Sequence, residues 1–207
     1  MIKKFLPVVV SILLLIIVIS FAISCSKQDK NKEMTQAQMV IHGKYLVTVA
    51  GCNDCHSPKI MTSMGPVPDS TKLLSGHPSN DKLPDFEWKL ISDKHLLIFS
   101  GDLTACAGPW GISYAANLTP DAETGLGSWT KEMFFNAIRN GKHLGIGRPI
   151  LPPMPWMEIK DLTDQDLESI YVYLKTLPSL KNKVPDPEPP RKSLLLMILR
   201  KRQATGL

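Results

Sequence analysis

One pentapeptide, Cys52-Asn53-Asp54-Cys55-His56, limits the folds open to this chain more than any other stretch. C-x-x-C-H is the attachment sequence of a c-type haem. Its two thiols add across the porphyrin vinyl groups, and the adjacent histidine is held against one face of the macrocycle as an axial iron ligand. A chain built around that chemistry needs an oxidising compartment, a second axial ligand and enough helix to enclose the macrocycle. The competing readings fit less well. A structural zinc site needs four ligands, no second pair follows downstream, and sequential Cys55 and His56 do not easily share one tetrahedron. A thioredoxin-like dithiol belongs at the mouth of a βαβ unit, and what precedes this motif is a helical pattern.

The amino terminus supplies the compartment. Lys3 and Lys4 precede an almost unbroken apolar run from Phe5 to Ile23, a charged n-region followed by an h-region. The run closes in Ala22-Ile23-Ser24-Cys25-Ser26, which resembles the lipobox of bacterial lipoproteins, where the cysteine is lipidated and becomes the new first residue. Ala22 departs from the leucine usual at that place. Residues 1–24 are therefore expected to be a lipoprotein-type signal peptide with Cys25 as the lipidation site. An uncleaved anchor helix is the alternative, since the run approaches the length of a bilayer core. Either way the domain is expected in the bacterial cell envelope, membrane-anchored and facing the periplasm or exterior.

Charge then excludes one class of partner. The chain carries +5, but Lys3 and Lys4 belong to the leader, and Arg191, Lys192, Arg200, Lys201 and Arg202 lie in a tail without acids. Without those seven cations the stretch from Ser26 to Pro190 stands at about −2. The basic balance is no sign of nucleic-acid binding, and no basic face interleaved with aromatics appears.

Punctuation divides the remainder. Residues 25–34 read as a polar, lysine-rich linker. Pro185-Asp186-Pro187-Glu188-Pro189-Pro190 is too proline-dense for a helix or strand interior and reads as a stiff extended exit. Residues 35–182 between them are long enough for one core. Residues 183–207 make up the exit and a basic, apolar tail. One C-x-x-C-H and no internal repeat imply one haem.

Three segments have helical period. From Thr35 to Ala50, Met39, Leu46, Val47 and Ala50 recur on one face, with Thr35 as N-cap and Gly51 as a stop. From Thr130 to Asn140, Met133, Phe134, Ala137 and Ile138 form a stripe ended by Gly141. From Thr163 to Leu177, Leu167, Ile170, Tyr171 and Leu174 repeat the pattern; Thr163 and Asp166 resemble a capping box, and Pro178 stops the helix. Between them, Leu83 to Ala116 loses helical period and reads as a short hairpin or extended insertion over the haem.

Helix, C-x-x-C-H, loop, helix, a proline-rich loop carrying methionine and a final helix is the order of class I cytochrome c. Closer still, His42-Gly43-Lys44-Tyr45-Leu46, Asn117-Leu118-Thr119-Pro120-Asp121, Gly125-Leu126-Gly127-Ser128-Trp129 and Leu151-Pro152-Pro153-Met154-Pro155 resemble the haem domains of cytochrome c subunits from membrane-bound alcohol and gluconate dehydrogenases. The likeness covers nearly all of Met34 to Leu180. It implies an all-α cytochrome c fold, about three to five helices around one haem, here with the short insertion. Those subunits carry several such units in tandem and this chain carries one, so their particular partner does not transfer.

The second axial ligand is expected at Met154. A thioether favours ferrous iron and raises the potential, and Pro152, Pro153 and Pro155 would present the sulfur from a stiff loop. Met154 also matches the family's methionine position. Met157 is the nearest rival, Met133 reads as core, and Met61 and Met64 sit too close to the attachment site to reach the opposite haem face. His42, His77, His95 and His143 read as exposed or hydrogen-bonded side chains, His143 being the next distal candidate after Met154. Trp129 is either a core indole or a wall of the haem edge. Cys106, left without a partner, reads as a buried thiol, with an intermolecular disulfide as the alternative. The tail from Ser193 to Leu199 is too short to span a bilayer; surface binding, helical docking on a partner and a loose end all remain open.

These readings converge on a monohaem, membrane-tethered c-type cytochrome holding haem c through Cys52 and Cys55, with His56 proximal and Met154 distal to the iron. It is expected to shuttle single electrons between redox protein partners, a membrane dehydrogenase or respiratory complex among them. Nothing resembles a substrate pocket, and six-coordinate iron leaves no open position, so the chain is not expected to be an enzyme. Two alternatives stand: an electron-transfer subunit of a dehydrogenase complex, and a five-coordinate haem peroxidase or gas sensor.

Overall fold

The computed structural model describes residues 34–190. The expected signal or anchor, Cys25 and the tail from Arg191 onward lie outside the described residues, as does nearly all of the linker.

Threonine caps set the three long helices in place. In α1 (Gln36–Val49) the Thr35 hydroxyl accepts from Gln38 N at 3.3 Å, while Gln38 Oε1 accepts from Thr35 N at 2.9 Å, satisfying two otherwise orphaned donors. Thr130 caps α4 (Lys131–Asn140) by accepting from Met133 N. Thr163 caps α6 (Asp164–Lys175), accepting from Asp166 N at 3.1 Å and donating to the Asp166 carboxylate at 2.7 Å. At the other end of α4, Gly141 turns left-handed at φ 62°, and a side chain there would collide with the Trp156 ring.

Between these helices lie α2 (Cys52–His56), the hairpin β1 (Lys59–Thr62) and β2 (Gly65–Pro68), and α3 (Trp88–Lys94). They are followed by β3 (Ile98–Phe99), β4 (Ala105–Gly108) and β5 (Gly111–Tyr114); a 3₁₀ turn at His143–Gly145 and α5 (Trp156–Ile159) come after α4. The expectation of an all-α architecture is thereby overturned: among the described residues there are two antiparallel sheets, β1–β2 and β3–β4–β5, and only 35% is helical. The physical reason is local. Strands of two to four residues carry too few alternations to register as a period, and Pro66 and Pro68 in β2 suppress the usual strand signal. A two-stranded ribbon tolerates those prolines because both strands have a free edge.

The main core is built where α1, α4 and α6 meet, from Val47, Phe134, Ile138, Leu167, Ile170 and Leu174, with Leu74 and Leu126 contributed by loops. Of the expected stripe on α1, Val47 is buried but Ala50 is exposed. A smaller cluster of Ile91, Ala107 and Ile112 sits under α3 and the three-stranded sheet. The proline-rich exit is stitched to that sheet, Glu188 exchanging both backbone hydrogen bonds with Ile112 at 2.9 Å.

α1 and α6 approach closely because Gly43 has no side chain; a Cβ there would overlap the Ser169 carbonyl oxygen. Beside this crossing His42 Nε2 lies 2.7 Å from Asp166 Oδ1. Burial pushes the Asp166 carboxyl up, but hydrogen bonds from His42 and Thr163 outweigh it and hold the group below its ordinary value. A depressed carboxyl contributes stability that is fully present above the ordinary carboxylate range and is lost as pH falls through the folded value. Asp166→Asn is accordingly expected to cost about 1 kcal/mol at neutral pH. The gap to wild type should close in acid, as read from urea midpoints across a pH series.

Candidate functional site

Gly51, left-handed at φ 66°, breaks the chain out of α1 and starts α2, a single helical turn. Residues three apart on a helix share a face, so the Cys52 and Cys55 thiols emerge together. Both are half-buried. Burial pushes the Cys52 thiol up to about 11, and it also raises Cys55. A thioredoxin-type dithiol works through a thiolate of lowered pKa, so these shifts run against a redox-dithiol role.

His56 is 7% exposed, and its Nδ1 lies 2.8 Å from the Ala116 carbonyl oxygen. A carbonyl only accepts, so Nδ1 carries the proton and Nε2 keeps its lone pair. Burial lowers the imidazole pKa more than the Ala116 bond raises it, which keeps the ring neutral. Two neutral thiols one turn apart, next to a neutral imidazole with Nε2 left for a metal, form the donor set that a covalently held haem requires.

The backbone around this turn is tied from several sides. Gly76 N donates to the His56 carbonyl at 2.7 Å, and the fully buried Ser57 accepts from Leu74 N while donating to Asn53 Oδ1. Leu118 N reaches back to Leu74 O at 2.8 Å. The Asn117 side chain clamps its own loop, accepting from Thr119 and donating to the Leu180 carbonyl at 2.8 Å. Ala116 is thus held between two anchored stretches, and its carbonyl is held in place for His56.

Met154 is half-buried in the loop between the 3₁₀ turn and α5. The Ser113 hydroxyl on β5 donates to the Pro152 carbonyl at 2.6 Å, and Trp156 N closes onto Met154 O at 2.9 Å, so the loop is pinned on both sides of the methionine. Met157 is 58% exposed on α5, and Met61 and Met64 are more exposed still at the β1–β2 turn. Among the histidines, His42 pairs with Asp166, and the fully buried His77 bonds through Nδ1 to Thr104 Oγ1 at 2.7 Å. His95 is exposed, and His143 stands edge-on to Trp129 with ring centroids 5.3 Å apart. Cys106 is a buried thiol on β4 whose pKa burial pushes up to about 11. Donor atoms of His77, Asp81 and Asp102 fall within 4.8 Å of one another. Asp102 accepts from Ser100 and Thr104, Thr104 also pairs with His77, and Asp81 is exposed.

Sequence reasoning did not reach Lys59, Ser113 or the Ala116 carbonyl. A backbone acceptor leaves no trace in residue type, and a lysine three places past the motif looks like any solvated charge.

No family model matches the chain. It is 32% identical over 126 residues to the fructose dehydrogenase cytochrome subunit of Gluconobacter japonicus, covering 50% of this chain and 26% of that one. It is 38% identical over 82 residues to the cytochrome c subunit of the quinone alcohol dehydrogenase of Gluconobacter oxydans, covering 38% and 17%. With the gluconate 2-dehydrogenase cytochrome c subunit of Pantoea cypripedii it shares 27% over 135 residues, covering 65% and 22%. The chain is therefore similar to cytochrome c subunits of dehydrogenases, and it spans about a quarter or less of the length of these relatives.

Proposed function

We propose that this chain is a membrane-tethered, monohaem c-type cytochrome that passes single electrons between redox protein partners and turns over no substrate of its own. In this reading residues 35–182 are the haem domain, Cys52 and Cys55 hold one haem c covalently, and His56 and Met154 are the axial ligands. Haem, when bound, supplies a one-electron iron couple.

The observation that carries the reading is His56: buried, neutral, and with Nδ1 committed to Ala116 so that Nε2 faces outward from that bond, directly after two thiols on one helical face. The Ala116 bond fixes the ring orientation and raises the basicity of Nε2, as second-shell acceptors do for ligating histidines. Ser113 holds the loop on which Met154 stands. Tethering rests on the lipobox-like end of the leader, through lipid on Cys25 or through the apolar run itself, and implies the bacterial cell envelope. The relatives, cytochrome subunits of dehydrogenases, support a dehydrogenase as the electron donor.

Spectra of the oxidised and reduced protein beside Met154→Ala test the ligand set. The wild type is expected to show a methionine-to-iron band that the variant loses completely, while Met157→Ala keeps it. A wild type without that band, or an unchanged Met154→Ala spectrum, would remove Met154 from the iron and favour a five-coordinate peroxidase or sensor.

A further inference from the structure

Lys59 opens β1 three residues past His56, and its ammonium folds back onto backbone carbonyls. Nζ lies 2.7 Å from Asp54 O, 2.7 Å from Ser57 O, 3.1 Å from Asp102 O and 3.2 Å from Asn53 O. An ammonium has three protons, so four carbonyls more than fill its donor capacity. Three of the four belong to α2 and the residue that follows it. Carbonyls at the end of a helix lack intrahelical donors, and a five-residue helix has little else to satisfy them. The lysine therefore holds both ends of the Asn53–Ser57 turn, the turn that carries Cys55 and His56.

The fourth carbonyl ties the same ammonium to the insertion. Asp102, whose backbone oxygen Lys59 holds, accepts through its carboxylate from Ser100 Oγ, Thr104 N and Thr104 Oγ1. Since the Thr104 hydroxyl donates to that carboxylate, its oxygen accepts from His77 Nδ1–H. One chain of contacts thus runs from the attachment turn through Lys59 and Asp102 to the buried His77. A single positive charge is held at its near end by geometry.

We propose that Lys59 is a positioning residue for the electron-transfer centre, its fixed charge holding the Cys55–His56 segment and stabilising the reduced state. The inference deepens the haem reading and rests on it. One-electron reduction removes one unit of positive charge from the centre, so a cation held nearby favours the reduced form, and its removal favours the oxidised one. The effect belongs to the charge as well as to the shape, which makes it separable from a purely structural role.

The test is a spectroelectrochemical titration of the full-length, detergent-solubilised holoprotein and three variants. Lys59→Met is expected to shift the equilibrium with a reference couple about tenfold toward the oxidised form, or about 59 mV. Lys59→Arg, which keeps the charge, is expected within about threefold of wild type. Lys59→Gln, neutral but still able to donate to the carbonyls, is expected to shift toward the oxidised form with Lys59→Met. An unchanged Lys59→Met potential overturns the proposal, as does a fall in Lys59→Arg equal to that in Lys59→Met. Should Lys59→Met yield no holoprotein, Lys59→Gln decides, and a potential equal to wild type overturns the proposal. A wild type that holds no covalent haem refutes the haem reading before any potential is measured.

Discussion

The Cys52→Ala/Cys55→Ala double variant is expected to come through denaturing electrophoresis with no haem stain at all, against full staining of the wild type. The two sulfurs leave α2 three residues apart, on one face, so they are presented together. Axial ligation alone does not survive denaturation, whereas a thioether does. Each single variant should keep a reduced fraction bound through the remaining sulfur. Full staining of the double variant would move the covalent link elsewhere, with Cys106 the other described thiol to examine.

Gly43→Val carries the second large effect, and it falls on stability. Where α1 crosses α6, a Cβ on Gly43 would overlap the Ser169 carbonyl oxygen and come within 2.8 Å of Tyr173 Cβ. The opposing atom is backbone inside a helix, so it cannot swing aside as a side chain would. Separating the helices would open the core at Val47, Leu167, Ile170 and Leu174. Overpacking of this kind costs about 3 kcal/mol. Even Gly43→Ala should lose a large part of that, read as a lowered urea midpoint at unchanged slope. A variant as stable as wild type would mean that the two helices do not meet through this glycine.

The three long helices were legible in the sequence because their signals are local and redundant. Thr35, Thr130 and Thr163 each stand directly before an apolar stripe and each caps a helix in the structure. Gly141 ends α4 as its position implies. The β1–β2 hairpin was not legible, nor was the register of β3, β4 and β5. β3 is two residues long, β2 contains two prolines, and their pairings join residues whose only common property is position after folding. The extended insertion expected over Leu83 to Ala116 is present as β3, β4 and β5, and α3 is the element there that the sequence does not mark.

The site divides along the same line. The residues proposed to hold the haem have distinctive types and spacing, and Cys52, Cys55 and His56 stand out on sight. The residues that hold them in place act through backbone carbonyls, which the sequence does not mark. Ala116 accepts from His56, and Lys59 donates to four carbonyls on two segments. Ser113 reaches a proline carbonyl 39 residues away in sequence. Their roles come from where the sheets carry them.

Covalent haem on Cys52 and Cys55 is decided by the mass of the tryptic peptide Tyr45–Lys59, from protein made in a host with haem-attachment machinery. One peptide is expected, heavier than its amino acids by one haem, with neither Cys52 nor Cys55 open to alkylation. A peptide of unmodified mass whose two thiols both take up the alkylating reagent would contradict it.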